Sequence, residues 1–201
     1  MEARSPPLED HVADLEVLGI AGSLRAASYN RALLRAAREL APPGMSLRSF
    51  EGLREIPPYD GDVEVAGVPP PVAALKQAVE AAGAVLIATP EYNHSIPGVL
   101  KNALDWASRP PGSSFRGKPV AITGASTGAM GTVRAQEELR RVLRTLGVFV
   151  VPSPEVLVAS AATRFDAEGR LQDEATRKYL GRLLAELAAW AERLRASPTT
   201  G

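Results

Sequence analysis

The chain has 201 residues, 45% of them hydrophobic, and its 23 basic and 23 acidic side chains leave no formal net charge. That length suits one domain with a sizeable core, and the balanced charge argues against nucleic acid or an anionic membrane as the main partner. Cysteine is absent and the only histidines are His11 and His94. This excludes a disulfide framework, thiol catalysis and any thiolate or His-rich metal site; no metal is expected, and redox chemistry would need an organic cofactor.

Residues 1–13 read as a disordered tail on position and composition, leaving 14–196 as one domain. The tail is acidic and proline-containing, without the basic and apolar regions of a signal peptide. No apolar run approaches the ~20 residues of a membrane helix, so the expected location is cytoplasmic. The run 15–21 (LEVLGIA) predicts a strand buried on both faces, ending at Gly22-Ser23. A helix follows over 29–40, with Leu33, Leu34, Ala37 and Leu40 on one face, stopped by Pro42-Pro43-Gly44. Residues 46–50 predict a weaker strand, and 51–71 a long loop rich in Gly and Pro. A helix over 72–82 leads to the most informative stretch of the chain.

That stretch is VLIATPEYNHSIPGVLKNALDW, residues 85–106. It begins as a buried strand, 85–88, and breaks at Thr89-Pro90 into a polar loop. It restarts as a helix behind Ser95, with Pro97 in the first turn, where a missing N–H costs nothing. A turn-rich connection over 109–117 precedes a strand at 119–123. The glycine-rich loop 124–131 then opens a helix over 132–146. Residues 148–151 predict the fifth strand, with extended chain at 155–158 and a turn region at 163–170. The last helix, 174–195, repeats Leu180, Leu183, Leu184, Leu187, Trp190, Ala191 and Leu194 at the 3.6 period of one buried face.

This β-α alternation implies a three-layer α/β sandwich on a parallel sheet, and right-handed crossovers leave few topologies. Five strands suit the flavodoxin-like order 2-1-3-4-5. In that order three loops open on one edge of the sheet. The first, 22–30 (GSLRAASYN), sets Ser23, Arg25, Ser28 and Asn30 before a helix N-terminus, where free N–H groups and the dipole suit a phosphate. The alternative is that Ser28 is only an N-cap and Arg25 a surface charge. The second, 90–97, frames Glu91, Tyr92, Asn93 and Ser95 between Pro90 and Pro97, an arrangement suited to a flat heterocycle with polar edges. Tyr92 could equally pack in the core and Asn93 serve as a turn residue. His94 has no identifiable partner and is read as an ordinary loop residue. In the third, 124–131 (GASTGAMG), the glycines allow close backbone approach to a ligand. It does not match the dinucleotide pattern G-x-G-x-x-G.

One decoy is rejected. Residues 112–118 (GSSFRGK) fit G-x-x-x-x-G-K, but Pro119 stands where the magnesium-binding Ser/Thr belongs, and the stretch precedes a strand where a phosphate-binding loop must follow one.

In these loops the sequence resembles the NADPH-dependent FMN reductase family, the flavodoxin-like group that includes chromate, quinone and azo-dye reductases. The likeness rests on 22–30, 89–106, 124–136 and the turn FDAEGRLQDEATRKYL at 165–180, and spans 15–194. It implies that Ser23, Arg25, Ser28 and Asn30 hold the FMN phosphate. It implies that Pro90, Glu91, Tyr92, Asn93 and Ser95 lie along the isoalloxazine and ribityl, and that Ser126, Thr127 and Gly128 close over the flavin edge. The resemblance also implies a homodimer or homotetramer with the flavin near a subunit boundary. NADPH or NADH would be the electron donor and a small molecule the acceptor: a quinone, azo compound, chromate or free flavin. No catalytic side chain is expected, because the flavin ring carries the hydride. Two other readings stay open: a flavodoxin-type electron carrier, and a non-enzymatic flavin-binding regulatory module. Carriers of that kind are strongly acidic for steering, and this chain is not.

Overall fold

The computed structural model of the protein describes residues 14–196, so the reading of 1–13 as a tail lies outside the described residues. Leu15–Ala21 (β1), Met45–Ser49 (β2), Ala84–Ala88 (β3) and Pro119–Ala125 (β4) run parallel in the order β2-β1-β3-β4. The fifth position, beside β4, is filled by two short pieces, Phe149–Val150 (β5) and Val156–Val158 (β6). The order is therefore the flavodoxin-like one expected. The expected fifth strand over 148–151 is shorter than predicted, and the stretch near 155–158 completes it. The register explains the break. Val120 pairs with Val150, but Thr123 pairs with Val156, so extra chain bulges out between them. That chain contains Pro152 and Pro154, which have no N–H to give to a ladder.

Helices cover both faces. Tyr29–Glu39 (α1) and Glu174–Ala196 (α6) pack on one face; Pro70–Ala81 (α3), Gly98–Ala107 (α4) and Val133–Thr145 (α5) pack on the other. The strands feed the two cores by simple alternation, the period-2 rule of an extended chain. On β3, Ala84, Leu86 and Ala88 join the α1/α6 core while Val85 and Ile87 join the other. Every residue of β3 and β4 is buried, which is why neither reads as amphipathic.

The predicted loop 51–71 is more ordered than expected. It holds a 3-10 turn, Gly52–Glu55, and a short helix, Gly61–Ala66 (α2), capped by Asp60, whose carboxylate accepts from the Asp62 N–H at 2.8 Å. No residue of α2 is buried, so no apolar period announced it. The loop is pinned to α4: Trp106 Nε1 and Asn102 Nδ2 both donate to the Pro57 carbonyl, at 2.9 and 2.8 Å, and Tyr59 N donates to Asn102 Oδ1 at 2.7 Å. Helix α3 starts at Pro70, two residues before the predicted 72, with proline in the first turn.

The rejected segment 112–118 is structural. Lys76 Nζ, itself buried, spends its three donors on the carbonyls of Arg109, Pro110 and Gly112. Lys118 Nζ donates to the Glu80 and Ala82 carbonyls, and burial holds its amine below the ordinary lysine value.

Candidate functional site

The carboxyl ends of β1, β3 and β4 meet at one edge, held by backbone bonds that run on past the strands. Gly22 N donates to Ala88 O at 2.8 Å, and Thr89 N to Thr123 O at 2.9 Å. The approach is close enough to dictate one residue. A Cβ on Gly124 would lie 2.2 Å from the Thr89 carbonyl oxygen and 2.4 Å from Thr132 Oγ1, so only glycine fits.

The first loop ends in a neutral cap. Ser28 is the N-cap of α1, and its Oγ accepts from the N–H groups of Asn30 (3.2 Å) and Arg31 (3.4 Å), leaving its own O–H as a donor. The first turn of α1 holds no acidic residue. Among the described residues, the N–H groups of Ala26, Ala27 and Tyr29 take no backbone acceptor. Arg25 is tethered over this loop, with Nη2 donating to Ala27 O at 2.8 Å and its guanidinium 5.7 Å from the Tyr29 ring centre. Tyr29 in turn meets Phe165, of the turn before α6, at a ring separation of 5.3 Å. Asn30 faces inward. It is 2% exposed, and its amide pairs both ways with Ala125: Nδ2 donates to Ala125 O and Oδ1 accepts from Ala125 N, each at 2.9 Å. It ties the start of α1 to the end of β4.

The second loop, read as a polar loop, closes as a tight turn. Tyr92 and Ser95 exchange two backbone hydrogen bonds of 3.0 Å, and the residues between them, Asn93 and His94, have φ of 50° and 65°. Positive φ at both central positions marks the mirror-image hairpin turn, which tolerates Asn readily. Ser95 is spent on this turn, so α4 begins at Gly98 with Pro97 as its N-cap residue, not in its first turn as predicted. Asn93 and His94 are exposed; Tyr92 is 52% exposed.

Glu91 turns toward α5. Its Oε2 accepts from the backbone N–H groups of Arg134 (3.0 Å) and Ala135 (3.1 Å), and Arg134 Nη1 reaches Oε1 at 3.4 Å. Thr132, at the N-cap position of α5, makes no side-chain cap. A carboxylate from the second loop therefore caps a helix that follows the third. The third loop is tied to the chain after β6: Ser126 N donates to Val158 O, Ala161 N to Ser126 O and Ser160 N to Gly128 O. Ser126 Oγ accepts from Gly128 N at 3.1 Å.

Between the three loops lies an open cleft of about 230 Å³. It gathers Ser23, Arg25, Ser28, Asn30, Pro90, Glu91, Tyr92, Ser126 and Thr127 from the sequence-predicted set, and adds Tyr29 and Ala125. Asn93, Ser95 and Gly128 do not line it. Tyr29 and Ala125 were missed because one read as a helix residue and the other as a strand end. Their signal was position: both sit at the boundary between element and loop, where side chains and backbone face the sheet edge.

Residues 15–163 match the family model described as NADPH-dependent FMN reductase. The chain belongs to the NADPH-dependent FMN reductase family. Among relatives, it is 51% identical over 182 residues to an NAD(P)H-dependent FMN reductase of Pseudomonas aeruginosa, covering 90% of this chain and 98% of that protein. It is 44% identical over 177 residues to a 2-hydroxy-1,4-benzoquinone reductase of a Burkholderia species, covering 88% and 96%. Among solved structures, the flavoenzyme NAD(P)H:(acceptor) oxidoreductase FerB of Paracoccus denitrificans superposes with a TM-score of 0.81 at 36% identity, covering 89% of this chain and 98% of that one. This family is one of oxidoreductases, with FMN as cofactor and NAD(P)H as donor. The family match ends before α6, so the last helix and its approach rest on the full-length relatives. Among the described residues no helix is long and apolar enough to cross a membrane.

Proposed function

We propose that this chain is an FMN-dependent NAD(P)H oxidoreductase whose acceptor is a quinone. The observation that carries the reading is the start of α1: a neutral Ser28 cap, unclaimed loop N–H groups and Arg25, all on the cleft shared by the other two loops. These residues fit a phosphate monoester, because a helix start with donors and no carboxylate is an anion site. Ser23, Arg25 and Ser28 would hold the phosphate. Asn30 acts as a positioning residue through Ala125. Pro90 and Tyr92, with the backbone of the second loop, would flank the ring, while Glu91 holds that loop against α5. Asn93 and Ser95 set the turn that presents Tyr92, and Ser126 and Thr127, with Gly128 behind them, close the ring edge. When bound, FMN would supply the hydride-accepting ring between NAD(P)H and the acceptor. The protein orients the rings and needs no nucleophile or general base of its own.

The open cleft leaves room for flat acceptors, so azo compounds, chromate and free flavin belong in the same assays. The assembly is a homodimer or homotetramer. Tyr92 and Met130, 52% and 59% exposed beside the cleft loops, are the apolar surface that supports a contact there. The cytoplasm, where reduced nicotinamides are made, is its place. The test is reconstitution with FMN, followed by bleaching of the yellow chromophore under NADPH or NADH and its recovery on adding a benzoquinone. Failure to take up FMN overturns the reading.

A further inference from the structure

The turn at 165–169, closed by the Gly169 N–H on the Asp166 carbonyl at 3.0 Å, faces the first loop across a second cleft of about 740 Å³. The two clefts join, because Arg25, Ser28 and Tyr29 line both. These residues belong to the loop assigned to the phosphate. The second cleft takes no residue from the ring-flanking loops 90–97 and 124–131. Ala26 and Ala27, whose N–H groups take no backbone acceptor, line the second cleft and not the flavin cleft. Arg35 reaches the turn from α1, its Nη2 donating to Gly169 O at 3.3 Å, and both residues line the same cleft. Among the described residues Arg25 and Arg35 are held by carbonyls and by no carboxylate, which leaves each guanidinium donors to spare. The two acids of the lining, Asp166 and Glu168, are taken by Arg170, which stands outside it, at 2.8 and 3.1 Å. The acids are therefore neutralised from outside the cleft and the arginines are not. The rings of Tyr29 and Phe165, 5.3 Å apart and tilted by 34°, give the cleft a flat apolar wall.

We propose that the second cleft takes the adenosine monophosphate end of a flavin dinucleotide, so that this chain binds FAD more tightly than FMN. The backbone of Ala26 and Ala27, with Arg35, would meet the second phosphate, and Tyr29 and Phe165 the purine. Continuity decides the ligand. The clefts join at the loop assigned to the phosphate, so an occupant of both continues from the flavin phosphate, and FAD carries a second phosphate and a purine there. A nicotinamide donor has to reach the ring, and this cleft shares nothing with the loops that flank it. The volume falls within the roughly 300–1,000 Å³ of small-molecule sites. Guanidiniums suit phosphate oxygens, and an aromatic wall suits a flat purine. The inference rests on the flavin site proposed above.

Calorimetry on the flavin-free full chain, with FMN and FAD in turn, tests it without turnover. FAD is expected to bind about tenfold more tightly than FMN. Arg35→Gln, a substitution at an exposed position of α1, should remove that advantage and leave FMN affinity as it was. Phe165→Leu, which keeps an apolar side chain but loses the ring face, should weaken FAD about threefold and FMN not at all. FAD binding no tighter than FMN overturns the proposal, and so does an equal loss for both flavins in Arg35→Gln. If the variants fail to fold, the comparison of the two flavins on the unsubstituted protein still decides. FMN uptake without any gain for FAD would sink the extension alone, whereas failure of both flavins to bind would sink the flavin site itself.

Discussion

Two helices begin at the same edge of the sheet, and their starts are treated differently. The start of α5 is filled from within, where Glu91 reaches across from the second loop and takes two backbone N–H groups. The start of α1 is capped by an uncharged hydroxyl, with no acidic residue in its first turn and Arg25 above it. Both helix ends carry the same partial positive charge. The chain neutralises one with its own carboxylate and leaves the other without one. Under the proposed function, that difference separates a structural helix start from a binding one.

The sharpest way to break that comparison is Ser28→Asp. Aspartate is as good an N-cap as serine, so urea unfolding should show α1 and the fold no weaker than before. But the new carboxylate would occupy the anion position, and two unit charges about 4 Å apart near a surface repel by about 4 kcal/mol. FMN affinity, read by fluorescence quenching, should fall about a thousandfold. Unchanged FMN binding would mean that the phosphate sits elsewhere.

Asn30→Ala tests the brace behind the same helix. It strips both partners from Ala125, leaving a buried N–H and a buried carbonyl unmatched at a site 2% exposed. The expected cost is about 2–3 kcal/mol of stability, with weaker FMN binding as a consequence. Glu91→Ala asks the matching question at α5. It removes a cap worth about 1–2 kcal/mol, so stability should fall more than FMN affinity does, and sulfate should restore part of it. If Glu91→Ala cost FMN affinity and left stability intact, the two helix starts would have exchanged roles.

Much of this edge was legible in the sequence, and the parts that were not share a cause. The buried strands 15–21 and 85–88 announce themselves as apolar runs closed by turn residues, and the alternation of elements leaves few sheet orders. The first loop reads as an anion site because small hydroxyl residues and an arginine precede a helix. What sequence spacing cannot show is which partner a side chain has across the fold. Glu91 lies 43 positions from Arg134, and Asn30 lies 95 from Ala125, so neither contact has a local signature. The same limit hid α2, which buries nothing, and the split fifth strand, where Pro152 and Pro154 break a ladder that apolar residues alone would continue.

The third carboxylate-capped start, at α6, gives the smallest and most specific test. Asp173 directly precedes the helix and accepts from both the Oγ1 (2.6 Å) and N–H (2.9 Å) of Thr176, with Arg164 against its other oxygen. These hydrogen bonds, that of the Thr176 hydroxyl foremost, hold its carboxyl below the ordinary aspartate value. A carboxylate whose folded pKa is depressed contributes stability that is complete above the unfolded value of about 4 and is lost as pH falls through the folded value. Asp173→Asn keeps the capping oxygen and removes the charge. At neutral pH it should cost about 0.5 kcal/mol, and the deficit should shrink as both proteins are titrated below about pH 4. Ser28 has no carboxylate to protonate, so Ser28→Ala, which loses an uncharged cap, should show a deficit that does not change over the same range. If the two variants followed the same pH course, the distinction between charged and neutral helix starts would not describe how this molecule is held together.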